Sequence, residues 1–309
     1  MRINYRILWF EDNKKSYDTK KGFVKDIVEE FGFNFVEPQN EVDGKNIDTL
    51  DYAIYDLIIA DMNLSHNLTA MKLMEAIRKK DVFTEVLFYS SSGEDAVRKE
   101  LARYKIDGAY CSDRENDEFE FKVKEVIRTL IKKTQDLTNL RGLVMAEVSD
   151  LDVMMGEIVQ RYLSQAKENL DRFHCKITRD LEKSLRKKLK KGSIDGATCK
   201  KDCTYVWRNM SVTDIVSSVE FESSKKARAV NLVIKDHNFP YTSQSGNFFE
   251  DYRAEIIDVR NKLAHCKSEI VNGKEVLIAS DGSKEEFGFD RFIKIRKDIK
   301  RFRDLFKKI

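Results

Sequence analysis

Within the stretch Arg260-Asn261-Lys262-Leu263-Ala264-His265 the chain places a permanent cation, an amide and an imidazole. Such groups are suited to attacking a phosphodiester, since a guanidinium offers a planar fork to paired oxygens and an imidazole titrates at about pH 6.5, close to working pH. A second set of chemical groups lies in the N-terminal part. There Glu11 and Asp12, Asp61, and Ser90 stand at the ends of successive short apolar runs. Carboxylates gathered in this way favour a hard cation with oxygen ligands.

The first set sits on an expected helix. Phe249, Tyr252, Ile256, Val259 and Leu263 recur at intervals of three and four residues, which at about 100° per residue makes one apolar stripe to be buried. Asp258, Asn261 and His265 fall on the opposite side of the same wheel. Arg260 falls at the edge of the stripe, where its stem can lie on apolar surface while the guanidinium reaches outward. A loop over residues 236–247, containing Pro240, precedes this helix. After it, residues 269–278 read as a two-stranded hairpin around Asn272-Gly273, a pair suited to a type I′ turn. A last amphipathic helix begins near Asp290.

The second set sits on a different architecture. The runs Tyr5 to Phe10, Asp56 to Ala60, Val86 to Tyr89 and Ala109 to Cys111 alternate with helical patterns. Strands alternating with helices imply a doubly wound parallel sheet whose site lies at the carboxyl ends of the strands. Residues 1–135 are therefore expected as an α/β domain of flavodoxin-like type, and residues 136–309 as an all-helical bundle with a small β-hairpin. Residues 119–133 read as the last helix of the first domain, running on into residues 137–143 as a connecting helix, because no Gly- or Pro-rich linker intervenes.

On these residues the N-terminal part resembles a two-component receiver domain. The resemblance implies Asp61 as phospho-acceptor, Glu11, Asp12 and Asp61 as ligands of Mg²⁺, and Ser90 as the hydroxyl that senses the phosphoryl group, with a histidine kinase or other signalling partner in a phosphorelay. The match departs from the family after the fifth strand, where Cys111-Ser112-Asp113-Arg114-Glu115 carries Arg114 in place of the usual lysine. The Pro and Gly usual in the loop after the acceptor are replaced by Ser65 and Thr69. The C-terminal part, on Arg260, Asn261 and His265, resembles the HEPN superfamily. That resemblance implies a metal-independent endoribonuclease working as a homodimer. His265 would be its general acid/base, Arg260 its phosphate clamp, and Asn261 the group that orients the phosphate or the imidazole.

Charge divides the chain in the same place. Residues 1–135 carry 22 Lys and Arg against 26 Asp and Glu and the remainder 34 against 27, a net −4 and +7 within a total of +3. This asymmetry points to an anionic partner for the C-terminal part, with RNA the natural candidate. Lys187, Lys188, Lys190 and Lys191, together with the basic residues of the last helix, could track a phosphate backbone. The alternative for each run is a solvated helix face. No apolar stretch is long enough for a membrane span or a secretion signal, and five unpatterned cysteines fit reduced thiols in a cytoplasm. Zinc at Cys199 and Cys203, with His174-Cys175 upstream, is a weaker reading because the spacing is loose.

Together these features describe a signal-regulated endoribonuclease, a hydrolase whose receiver-like domain controls a HEPN effector. By family analogy alone, such an assembly resembles toxins of bacterial stress or antiviral defence. Two other classes stay open: a non-catalytic signalling adaptor using a HEPN-like dimerisation domain, and a regulator that binds RNA without cutting it.

Overall fold

A computed structural model of the chain describes residues 3–42, 45–64, 69–80, 82–106, 108–134, 136–163, 171, 173–175, 179–180, 210–242, 245–272, 274–279 and 281–309. Lys187, Lys188, Lys190, Lys191, Cys199 and Cys203, and Ser65, lie outside them. The chain splits into two compact units, one of 1–140 with 289–297 and one of 141–288 with 298–309. The first half of the last helix, Phe289–Lys297, belongs with the N-terminal unit.

In the first unit the chain runs β1 (Asn4–Tyr5), β2 (Ile7–Phe10), α1 (Lys14–Glu30), β3 (Asn34–Phe35), β4 (Gln39–Glu41), β5 (Leu57–Asp61), α2 (Ala70–Arg78), β6 (Val86–Ser90), α3 (Glu94–Arg103), β7 (Ala109–Asp113) and α4 (Asn116–Thr134). The main sheet has five parallel strands in the order β4-β2-β5-β6-β7. Counting its members in chain order gives 2-1-3-4-5, the flavodoxin-like winding in which the site opens at the carboxyl ends beside the first and third strands. The remaining pair, β1 with β3, forms a short parallel ribbon of its own.

The apolar runs are continuous because the sheet is covered on both faces. Ile7, Trp9, Leu57, Ile59, Leu87 and Tyr89 pack under α1 and α4 against Val24, Ile27, Val28, Phe119, Val123 and Ile127. Their alternating neighbours Leu8, Phe10, Ile58, Ala60, Val86 and Phe88 pack under α2 and α3 against Leu73, Met74, Ile77, Val97 and Leu101. Each buried Val, Leu, Ile, Phe or Met side chain among them contributes about 1.5–3 kcal/mol by removal from water.

The connecting helix is not continuous. Asp136 accepts the backbone N–H of Asn139 at 2.6 Å, an N-cap that starts a new helix, α5 (Leu137–Leu163), after α4 ends at Thr134. The second unit continues with α6 (Val212–Ser217), α7 (Ser223–Asp236), α8 (Phe248–Tyr252), a π-helical turn over Arg253–Ile257, and α9 (Asp258–His265). Three antiparallel strands follow, β8 (Lys267–Val271), β9 (Lys274–Ile278) and β10 (Lys284–Glu286), in the order β10-β9-β8. The expected hairpin is the β8–β9 pair, with Val271 opposite Lys274 and Asn272 at φ +52°. The chain ends in α10 (Phe289–Lys308). Among the described residues no helix is long and apolar enough to cross a membrane.

The first half of α10 docks in the N-terminal unit through Arg296. Its side chain is fully buried, its Nε donates to the Phe31 carbonyl at 2.9 Å, and its guanidinium lies 4.4 Å over the Phe33 ring. Burial pushes its pKa down to about 10. Close approach is possible because Gly32, at φ +79°, has no side chain: a Cβ there would stand 3.0 Å from Arg296 Cβ and from the Ile293 carbonyl.

Candidate functional site

Two adjacent parallel strands, β2 and β5, end at the carboxyl edge of the main sheet and deliver Glu11 and Asp61 to one buried place. Both side chains are fully buried, an arrangement that would be costly without counter-charge. Arg114, just past the end of β7, supplies it. One guanidinium nitrogen, Nη2, lies 3.2 Å from both oxygens of Glu11, and the other, Nη1, lies 2.8 Å from Asp61 Oδ2. The second contact is an ion pair by distance whose N–H direction misses the oxygen, so Oδ2 is buried without a hydrogen bond.

The rest of the pocket is hydrogen-bonded into place. Glu11 Oε1 accepts from the backbone N–H of Asn13 at 2.9 Å. Oε2 accepts from the Tyr89 hydroxyl at 2.8 Å, which in turn accepts from Trp9 Nε1 at 3.1 Å. Asn40 holds the Glu11 backbone through its own amide, accepting from the Glu11 N–H at 3.2 Å and donating to its carbonyl at 3.0 Å. Asp61 Oδ1 accepts from the Asn63 N–H at 3.0 Å. The buried Ser90 hydroxyl accepts from Asn63 Nδ2 at 3.0 Å and from the Ser92 N–H at 3.2 Å. Burial holds the Asp61 carboxyl above its ordinary pKa, opposed by the Asn63 N–H and Arg114. Burial also pushes the Tyr89 phenol up, with the Glu11 charge adding to it.

Of the expected residues, Glu11, Asp61 and Ser90 therefore converge, and Arg114 joins them. Asp12 stays half-exposed, within electrostatic reach of Asp61. The arrangement does not fit the Mg²⁺ that the resemblance implies. The oxygens of Glu11 and Asp61 are engaged by Arg114, Tyr89 and backbone N–H groups, so a cation would have to displace the guanidinium to reach them.

Lys20 is a member of the pocket that the sequence reading missed. It lies buried on α1 in line with Tyr17, Val24, Ile27 and Val28, stacked over Phe119 and Tyr89 at 5.3 and 5.7 Å. Burial lowers its pKa and Arg114 lowers it further, while Glu11 and Asp61 oppose the shift. A lysine inside an apolar helical stripe was the available signal.

The C-terminal candidates are less concentrated. The stripe Phe249, Tyr252, Ile256, Val259 and Leu263 is buried as expected, although a π-turn interrupts the helix before the Arg-Asn-x3-His segment. Asn261 and His265 are exposed one turn apart on α9. Arg260 does not reach outward. Its Nη2 donates to Ser223 Oγ at 3.3 Å, and Ser223 donates to Asp152, a carboxylate raised in pKa by burial and lowered by Ser223, Lys226 and Arg260. A half-buried acid thus draws the guanidinium inward. The last helix is likewise less available to an anion than its basic count implies. Arg296 is buried, Arg301 pairs with Glu255, and Arg303 pairs with Glu147 at 2.5 Å and Asp150 at 3.3 Å.

No family model matches the chain, and neither does any curated protein. Among solved structures, the receiver domain of Francisella response regulator 1452 is 23% identical over 43% of this chain and all of its own, with a TM-score of 0.31. A CheY-like response regulator receiver domain from Methanospirillum hungatei is 15% identical over 42% of this chain and 98% of its own, TM-score 0.31. Full-length FixJ from B. japonicum is 12% identical over 73% of this chain and 95% of its own, TM-score 0.30. At these scores the winding of the N-terminal unit rests on its strand order and connectivity.

Proposed function

We propose that this chain is a signalling regulator whose N-terminal unit takes its input at Asp61 and whose helical unit gives the output. The observation that carries this reading is the convergence of buried Glu11, Asp61 and Ser90 with half-buried Arg114 at the carboxyl edge of a 2-1-3-4-5 sheet, the place where such folds bind and react. The input would be a phosphoryl group from a histidine kinase or a small acyl phosphate. An Asp61 oxygen attacks phosphorus, the new O–P bond forms as the bond to the leaving group breaks, and the leaving group departs with that electron pair. Arg114 offsets the charge on the transferred group as a fork. Ser90, two strands from Glu11, can turn its hydroxyl to donate to the phosphoryl oxygen. Because the guanidinium engages Asp61 beforehand, transfer should be slow. Incubation with acetyl phosphate and mass analysis of the Asp61 peptide tests this: slow labelling of the wild type and none of Asp61→Asn supports it, and an unlabelled wild type with both kinase extract and acetyl phosphate overturns it.

For the output, exposed Asn261 and His265 one turn apart on α9 favour an RNase of HEPN type. One chain supplies a single imidazole at that place, so acid and base roles call for two chains with their α9 helices adjacent. Cleavage of total RNA in EDTA, leaving 2′,3′-cyclic phosphate or 3′-phosphate ends and lost in His265→Ala, supports this reading. Binding of RNA with no cleavage by the wild type would favour a non-cutting regulator.

A further inference from the structure

We infer that the Asp61 pocket carries its own counter-cations, Arg114 and Lys20, in the position and role that a divalent cation would otherwise fill. The pocket is the one in which the input is proposed above, but the inference rests on its charge geometry and does not require that Asp61 be phosphorylated.

The two buried carboxylates are matched by two cations without an ion. Glu11 and Asp61 bring two negative charges at essentially zero exposure, and Arg114 and Lys20 bring two positive ones. The guanidinium spans the carboxylates, 3.2 Å from each oxygen of Glu11 and 2.8 Å from Asp61 Oδ2. That is the bridging task of a metal held by two acids, which needs only one or two carboxylates when water completes its shell. Lys20 approaches from α1, held over the Tyr89 and Phe119 rings and hydrogen-bonded at 3.4 Å to Asn116 Oδ1 at the start of α4. Its ammonium feels both carboxylates and Arg114.

Arg114 is also tethered by its own backbone, whose N–H donates to the Ser90 carbonyl at 3.0 Å. The guanidinium therefore leaves the carboxylates only by rotation of its side chain. It is about one quarter exposed, so it has an outward path to water. Asp61 Oδ2, buried with no hydrogen bond, is the atom this movement would uncover.

A divalent cation entering the pocket must displace a positive charge already there, and a site already neutralised gains little from a second cation. Removing Arg114 should leave two buried carboxylates without their bridging cation, with only Lys20 as counter-charge and Asp12 nearby, and so create a cation site.

The test uses Mn²⁺ alone, in the full-length protein, read by electron paramagnetic resonance titration and by thermal melting. Arg114→Ala should bind Mn²⁺ at least ten-fold more tightly than wild type and be stabilised by it, and Arg114→Ala/Asp61→Asn should lose that gain. If Arg114→Ala folds only when Mn²⁺ is supplied, the inference is equally supported. Arg114→Lys, which keeps a charge but loses the fork, should show a smaller gain in a folded protein. Wild type binding Mn²⁺ as tightly as Arg114→Ala, or no gain in either variant, overturns the inference. Asp61 labelling by acetyl phosphate is read separately, so either result can fail while the other stands.

Discussion

Replacing Arg114 by Met keeps much of the side-chain volume and removes the charge. Glu11 and Asp61 then remain fully buried, with backbone N–H groups, Tyr89 and the off-centre Lys20 as their only described support. Breaking a buried ion pair by deleting one partner typically costs about 3–5 kcal/mol. Here the arginine is itself one quarter exposed, and solvent screening discounts its share, so a loss of about 2–4 kcal/mol near neutral pH is the expected magnitude. The loss should depend on pH in a stated direction. Burial already holds the Asp61 carboxyl above its ordinary pKa, and loss of Arg114 raises it further. A carboxyl whose folded pKa lies above its unfolded value binds a proton in the native state that the unfolded chain has released, so stability falls as pH rises through the interval between the two. The deficit of Arg114→Met against wild type should therefore be full above the raised Asp61 pKa and shrink as pH is lowered toward about 4, the unfolded value. Urea denaturation of both proteins at several pH values measures this. A variant as stable as wild type at neutral pH, or a deficit that widens on acidification, would refute the ion-pair reasoning.

Other outcomes follow from single contacts. Gly32→Ala forces a Cβ to 3.0 Å from Arg296 Cβ and the Ile293 carbonyl at φ +79°, and should cost about 1–3 kcal/mol in urea denaturation; an unchanged midpoint would mean that α10 does not pack closely on Gly32. Tyr89→Phe removes one donor to Glu11 and the acceptor of buried Trp9 Nε1, which should lower stability by about 1–3 kcal/mol and shift the tryptophan emission. Ser223→Ala cuts the link from Arg260 to Asp152; if Arg260 takes part in RNA cleavage, the rate should fall while the melting temperature changes little, and an unaltered rate would remove Arg260 from that chemistry.

The N-terminal winding could be read from the sequence because each central strand is an unbroken apolar run ended by an acid or a serine, and those terminal residues proved to converge. Arg114 and Glu11 are separated by 103 positions, so no local spacing announces their ion pair; it exists because β7 and β2 end on the same edge. Lys20 was hidden for the opposite reason, since a basic residue in a lysine-rich helix reads as solvated until its position in the stripe of Tyr17 and Val24 is weighed. The helical wheel placed the buried stripe around Ile256 correctly. It misdirected Arg260, whose partner Ser223 comes from another helix and whose orientation is set by a half-buried acid, Asp152, more than one hundred positions upstream. The break between α4 and α5 turned on a single cap, Asp136, within a stretch free of Gly and Pro.

Hydrogen–deuterium exchange over the peptides spanning residues 223–236 and 248–265, with and without acetyl phosphate, asks whether the Asp61 pocket governs the helical unit. If Asp61 is the input, exchange in those helices changes in the wild type on phosphodonor addition and stays constant in Asp61→Asn. Identical exchange in both proteins under both conditions, with Asp61 shown to be labelled in the wild type, would contradict the account.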